Sequence, residues 1–455
     1  MNTLDLSNRI SKGLELYQKA RAIIPGGAQL FGKRQEMFAP GQWPAYAAEA
    51  KGCEVVDVDG NRYIDMMTSG IGATILGYAD PDVTQAVVDR VQRGSMTGIN
   101  AAEEVELAEL LLQIHPWADN VRFGRVGGET MAMAVRIARA STKRDMIAIC
   151  GYHGWHDWYL AANLTQPSEA GDSEMIDRLG DGHLLPGLQP LGVPRGLAGT
   201  TVTFSYNEID QLQRIVKAHG PQLAAIVMES TRSEHPKPGF LEGVRDLADQ
   251  CGARLVFDEI SIGWRLCLAG AHLKYGIEPD MAVYAKSLGN GHPMSAVVGK
   301  QETMQAAQDT FISSAYWTEA VGPTAALATI KKMMRIDVPA HIRGIGERLR
   351  DGLIEIGGRH HVPLHFSDHP EILKIGIDHP EANAIQTLWN VRMLDHGFLT
   401  CGGFYPMLAH ENHHVDQFLE ACEIVFAEIR QAIQQDDLQQ RIGGPVKHTG
   451  FGRLA

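Results

Sequence analysis

A chain of 455 residues with 44% hydrophobic and 21% charged side chains can bury substantial cores in one large and one small domain, and it is not a disordered or low-complexity protein. Its formal net charge of −13 repels phosphate backbones and anionic lipid, so neither nucleic acid nor a membrane is expected as a main partner. The cysteines at 53, 150, 251, 267, 401 and 422 form no CxxC pair, no basic-then-apolar leader opens the chain, and no run of about 18 apolar residues occurs, so a reducing, cytoplasmic setting is expected.

Ile10, Leu14 and Tyr17 share a helical face behind Ser7 as N-cap, and Pro25-Gly26-Gly27 stops that helix, which reads as an arm. Alternation from Glu54 to Met67 about Asp59-Gly60-Asn61 predicts a hairpin. A helix is predicted from about Glu103 to Ile114. Gly127 and Gly128 open the next one, which runs through Arg139. Two glycines at a helix N-terminus bare backbone N–H groups that suit a phosphate, although such a pair before a helix is more often a turn.

From there strands and helices alternate: a strand over 146–150, another over 224–229, a helix over 241–250 stopped by Gly252, then strands at 255–260 and from 280 toward Lys286. This alternation predicts an α/β fold with a mainly parallel sheet between helices. Directly after the first of these strands comes Gly151-Tyr152-His153-Gly154-Trp155-His156-Asp157-Trp158, aromatic enough to stack on a planar ring, with Tyr152 the candidate. The spacing of His153 and His156 invites a metal, but no third ligand is indicated and no metal is expected. Residues 163–200 are rich in Gly, Pro and polar residues and read as a wall of a site. Trp155, Trp158, Tyr159 and Trp317 are candidates to line a roomy pocket for a polar substrate. After about residue 335, helices at 342–356, 384–395 and 415–433 with a strand at 372–377 predict a smaller α+β domain. The expected division is 1–65 as arm and part of the small domain, 66–334 as large domain, 335–440 as small domain and 441–455 as a tail.

Asp258 and Lys286 each end a short apolar strand, so both stand at the open edge of one sheet, where such sheets bind ligands. A carboxylate and an amine in apolar surroundings are costly unless something uses them. Pyridoxal phosphate uses both, the amine by a Schiff base with its aldehyde and the carboxylate by keeping its ring nitrogen protonated. Taken singly, Asp258 also fits a turn residue and Lys286 a solvated surface charge. Glu229 fits either a turn carboxylate or a site residue, and Arg34, Arg232 and Arg265 are open between surface charge and anion ligand.

The ordered motifs Gly151 to Asp157, Phe257-Asp-Glu-Ile260-Ser-Ile-Gly-Trp-Arg-Leu266 and Ala285-Lys286-Ser-Leu-Gly-Asn-Gly-His-Pro293 resemble the class III aminotransferases of PLP fold type I, most of all the glutamate-1-semialdehyde aminomutase branch. The resemblance runs from about Leu16 to Glu428. It implies pyridoxal 5'-phosphate as cofactor, Lys286 as the Schiff-base lysine, Asp258 as partner of the pyridine nitrogen, Tyr152 or His153 as the stacking residue and Ile260 as packing beneath the ring. It also implies a homodimer with shared active sites, a small-molecule amino donor and a carbonyl acceptor. Gly127, Gly128, Glu229 and Thr318 complete the expected cofactor site, and Arg34, Trp155 and Arg232 are the substrate candidates.

Three departures from the family pattern stand out. Val126-Gly127-Gly128 lacks the hydroxyl donors of the usual phosphate cup, and Ser314-Ala315-Tyr316-Trp317-Thr318 stands where a neighbouring-subunit threonine commonly reaches the phosphate, with Thr318, Ser314 or Arg125 as possible substitutes. The aminomutase branch's carboxylate-binding arginine has no clear counterpart near Gln29 to Arg34. The expected activity is transfer of an amino group to a small aldehyde or ketone, sugar-like or a biosynthetic intermediate, with Lys286 as general base and acid. An aminomutase, a racemase or epimerase of the same fold, and a catalytically silent sugar-binding or regulatory homologue stay open as alternatives.

Overall fold

A computed structural model describes residues 11–164 and 190–448, and these fall into two compact units, one drawn from residues up to Asp80 and from Ala340 onward, the other spanning Pro81–Pro339. Most of the predicted wall at 163–200 and the end of the predicted tail lie outside the described residues.

The unit Pro81–Pro339 is built on a seven-stranded sheet in the order Asn120–Gly124, Ser295–Gly299, Met281–Tyr284, Arg254–Asp258, Leu223–Met228, Met146–Cys150, Thr201–Thr203. Ser295–Gly299 runs antiparallel to both neighbours, and the remaining pairings are parallel. The strands Met146–Cys150, Leu223–Met228 and Met281–Tyr284 are apolar throughout because both faces of the sheet are covered. Ile147, Ile149, Ala225, Val227 and Val256 face one cluster with Met131, Ala134 and Ile137 of the helix Gly127–Thr142. Ala148, Cys150, Ile226, Met228, Leu255 and Phe257 face another with Leu212 of the helix Ile209–His219 and Leu241 and Val244 of the helix Phe240–Cys251. Each strand thus sends alternate side chains to opposite helix layers, the two-residue period of a pleated strand buried on both sides. Gly252, at φ 72°, ends the helix Phe240–Cys251 in the left-handed conformation, which turns the chain into the Asp258 strand.

Register places the chemistry. Asp258 pairs with Val283, so the carboxylate and the Lys286 amine three residues beyond Val283 leave the sheet at the same C-terminal edge. Cys150 pairs with Met228 and Met228 with Phe257, so the segments beginning at Gly151 and Glu229 emerge at that edge as well.

The other unit holds a four-stranded sheet, Ala47–Lys51, Glu54–Asp57, Arg62–Met66 and Phe398–Thr400, whose middle pair is the hairpin expected from the Asp59-Gly60-Asn61 turn. A three-stranded sheet of Leu364–Phe366, Leu373–Ile377 and Gly403–Phe404 accompanies it. The helices Val338–His360, Ala382–Asp395 and Asn412–Gln435 supply its core, where Leu349, Leu353, Trp389, Phe418 and Phe426 meet Phe404. The arm helix runs Ser11–Ile23, and Tyr17 donates a 2.5 Å hydrogen bond to Glu36.

Candidate active site

Lys286 opens a short 3-10 turn, Lys286–Gly289, straight off its strand. Its φ is +47°, a conformation that costs a side-chain-bearing residue on the order of 1–2 kcal/mol and that persists only where surrounding structure imposes it. The amine donates to Ser261 Oγ at 2.7 Å. The residue keeps some exposed surface, but protein packs densely around the amine, and burial pushes it below the usual lysine range against the pull of the Asp258 and Glu229 carboxylates. A lysine so placed holds a free amine at lower pH than an ordinary one.

Asp258 is 4% exposed and held from two sides. Ile260 N donates to Oδ1 at 3.0 Å, and His153 Nδ1 donates to Oδ2 at 2.8 Å. The other imidazole nitrogen, Nε2, stands 3.2 Å from the Cys150 carbonyl. His153, fully buried and flanked by Trp158 and Tyr159, is therefore a partner of the carboxylate. Tyr152, the other stacking candidate, is 42% exposed, and its phenol is pushed up first by burial and then by the charge of Asp258. It is the aromatic ring of this segment that pairs proximity to the carboxylate with an open face.

The turn Val126-Gly127-Gly128 begins the 16-residue helix Gly127–Thr142. Glu129 Oε1 accepts from Arg125 N at 2.5 Å, from Val126 N at 3.0 Å and from the Trp317 indole at 3.1 Å, so one carboxylate ties the helix start to the segment around Trp317. A Cβ at Gly127 would lie 2.7 Å from Ile260 Cδ1, so the bare glycine lets Ile260, two positions after Asp258, pack directly on the helix start. Arg125 is committed elsewhere: Nε pairs with Glu319 at 3.0 Å, and the guanidinium also donates to the carbonyls of Gly124, Trp317 and Glu319.

The other sequence candidates are placed as follows. Glu229 directly follows the strand Leu223–Met228 at the same edge and pairs with Arg232 at 3.1 Å. Trp155 is 69% exposed and stacks on His156, with ring centroids 4.5 Å apart. Thr318 gives its hydroxyl to the Ala315 carbonyl at 2.8 Å, and with Ser314, Glu104 and Arg122 it lines a separate cleft of the unit. Arg34 belongs to the other unit, where it is 7% exposed, lies 4.3 Å over the Phe31 ring and borders a small cavity with Tyr17 and Glu36. Trp158 and Tyr159, read from the sequence as pocket walls, are instead core residues: the short helix Asp157–Leu160 turns them inward, and the Tyr159 hydroxyl donates to the Gly151 carbonyl. Sequence reasoning missed Ser261, although a hydroxyl three positions after the strand-end carboxylate was visible, and it missed His153 as the partner of Asp258, a pairing that spans 105 residues.

An amine and a carboxylate at one sheet edge, with a bare glycine pair at a helix N-terminus packed on Ile260, fit a ring with an aldehyde, a basic nitrogen and a phosphate arm. A family model described as aminotransferase class-III matches residues 37–426. The 2'-deamino-2'-hydroxyneamine transaminase of Streptomyces kanamyceticus is 30% identical over 384 residues, covering 84% of this chain and 90% of that protein. The glutamate-1-semialdehyde 2,1-aminomutase of Chloroflexus aurantiacus is also 30% identical, over 451 residues, covering 93% of this chain and 98% of its own. Among solved structures, an omega-transaminase from Sphaerobacter thermophilus superposes with a TM-score of 0.78 at 25% identity, over 92% of this chain and 98% of that one. Matched by one family model over most of its length, the chain belongs to the class-III aminotransferases, enzymes of PLP fold type I that depend on pyridoxal 5'-phosphate.

Proposed function

We propose that this aminotransferase moves an amino group from a small-molecule donor to a small aldehyde or ketone at the edge bearing Asp258 and Lys286. The observation that carries the reading is the placement of an amine whose pKa burial lowers and a doubly held carboxylate at the C-terminal ends of adjacent parallel strands. Pyridoxal 5'-phosphate, when bound, supplies an aldehyde that condenses with amines and a ring that takes up electron density. Asp258 holds a proton at the ring nitrogen, and His153 keeps the carboxylate turned toward it. Gly127 and Gly128 would offer backbone N–H groups to the phosphate, with Tyr152 and Ile260 the residues that would pack on the ring. Glu229 and its partner Arg232 border the same edge. Lys286 Nζ, directed by Ser261, takes a proton from the amine-bearing carbon of the donor and, in the second half of the transfer, gives a proton to the acceptor carbon that becomes amine-bearing.

A homodimer with shared sites is part of this reading, supported by apolar side chains left open on the unit Pro81–Pro339, among them Val126 at 54%, Trp155 at 69% and Tyr316 at 71% exposure. In the dimer Thr318 of one subunit would serve the site of the other. A cytoplasmic setting accords with six free cysteines and with the described residues, where no helix is long and apolar enough to cross a membrane.

The aminomutase reading stands second, favoured by the near-complete coverage of the Chloroflexus relative. One experiment tests both. The protein loaded with cofactor is assayed for amino transfer with and without an added carbonyl acceptor, beside Lys286→Ala. Transfer that requires the acceptor and disappears in Lys286→Ala together with the near-visible absorbance of lysine-bound cofactor is the expected result. Turnover without an acceptor favours the aminomutase, and unchanged turnover in Lys286→Ala sinks the assignment.

A further inference from the structure

We propose that His156 is a side-chain donor to the phosphate of the cofactor, through Nδ1. The inference rests on the cofactor site proposed above and names a residue that the site otherwise leaves without a task. A phosphate presents only acceptors, and a helix that begins with two glycines meets it with backbone N–H groups alone. The space beside Gly128 is taken by an imidazole: a Cβ there would lie 3.1 Å from His156 Cε1 and 3.2 Å from Nδ1. Gly154, at φ +102°, lets the segment press in this far, since a Cβ on it would stand 3.0 Å from the Gly128 Cα. Nδ1 itself is buried and has no hydrogen-bond partner among the described residues, a state that is costly until an acceptor arrives. The Trp155 ring, 26° from parallel, backs the imidazole and sets its plane.

The neighbouring polar groups are already engaged. Arg125 is spent on Glu319 and on carbonyls, the Trp317 indole on Glu129, and the Thr130 hydroxyl on the Val126 carbonyl and Ser295. His156 is thus the side chain at the helix start with a nitrogen to give, and with a phosphate as acceptor Nδ1 carries the proton.

The test compares pyridoxal 5'-phosphate with pyridoxal, which has the same ring and aldehyde but no phosphate. Both are titrated into cofactor-free protein, followed by tryptophan fluorescence, for wild type, His156→Ala, His156→Asn and the double variant Gly128→Thr/His156→Ala. The expected result is a loss of affinity of about ten- to hundredfold for pyridoxal 5'-phosphate in His156→Ala, with pyridoxal affinity unchanged. His156→Asn, which keeps a donor, should lose less. The double variant, which sets a hydroxyl at the helix start in the space vacated by the ring, should regain part of the loss. Equal affinity for pyridoxal 5'-phosphate in wild type and His156→Ala overturns the proposal, as do parallel losses for both compounds that the double variant does not recover. A wild-type protein that takes up neither compound removes the functional reading itself, whereas normal uptake with an inert His156→Ala removes this inference alone.

Discussion

Lys286 combines features that a lysine with only a structural task avoids: a left-handed backbone, an amine held against a hydroxyl, and dense packing around a group that prefers water. Such an arrangement lowers stability and is of the kind found at reactive sites. The linkage sign follows from burial. With its folded-state pKa lowered, Lys286 is deprotonated in the native protein at pH values where the unfolded chain still holds the proton, so unfolding takes up a proton in that window. Stability of the cofactor-free protein should therefore rise with pH between the depressed value and that of an ordinary lysine. Lys286→Met should be more stable at neutral pH by about 0.5–2 kcal/mol, with the difference from wild type shrinking as pH rises, checked by urea unfolding at neutral and alkaline pH. A wild type as stable as the variant at every pH would show that the amine is not under this burden. At this scale the sequence was legible where a polar residue ends an apolar run, as Asp258 and Lys286 do. Ser261 and His153 gave no such signal because their roles come from what faces them in space.

The start of the helix Gly127–Thr142, the proposed phosphate site, is held by a single carboxylate. Gly-Gly leaves its first turn bare, and the helix relies on Glu129, whose single oxygen Oε1 takes two backbone N–H groups and an indole. Removing it leaves those donors without their acceptor, two of them, Arg125 N and the Trp317 indole, in part-buried settings and Val126 N in an exposed one. Glu129→Ala should cost about 1–3 kcal/mol in urea unfolding, with Glu129→Gln, which retains an acceptor, costing less. Equal midpoints for wild type and Glu129→Ala would mean that water replaces the carboxylate without loss. Helices and strands were readable in the chain because their periods are local: 146–150 was expected as a strand and is one, and Gly252 was expected to stop a helix and does so. The segment 157–160 was harder. In a run as aromatic as Trp155 to Tyr159, only the turn of a short helix decides which rings face the core and which face out.

For the whole molecule the proposed dimer carries the remaining prediction. Tyr316 is 71% exposed in a chain whose other large rings are mostly buried, and it lies beside the Trp317 segment that Glu129 and Arg125 hold to the helix start. Sedimentation should show a particle of two chains, and Tyr316→Glu should shift it toward one chain while lowering turnover at least tenfold, since the charge would be buried against the partner. A wild-type protein that sediments as one fully active chain would refute the shared-site arrangement. What the amino-acid sequence determined unaided is the alternation of apolar strands with amphipathic helices, the order of the motifs, and the pair of residues that end adjacent strands, because hydrophobic period and turn chemistry act over a few neighbours. Only the tertiary structure decided which groups meet across long separations: His153 with Asp258, Ser261 with Lys286, Trp317 with Glu129, and His156 with the bare face of Gly128. Those encounters depend on strand order and register, which are settled by how the two helix layers pack on the sheet and leave no trace in the local pattern of any one segment.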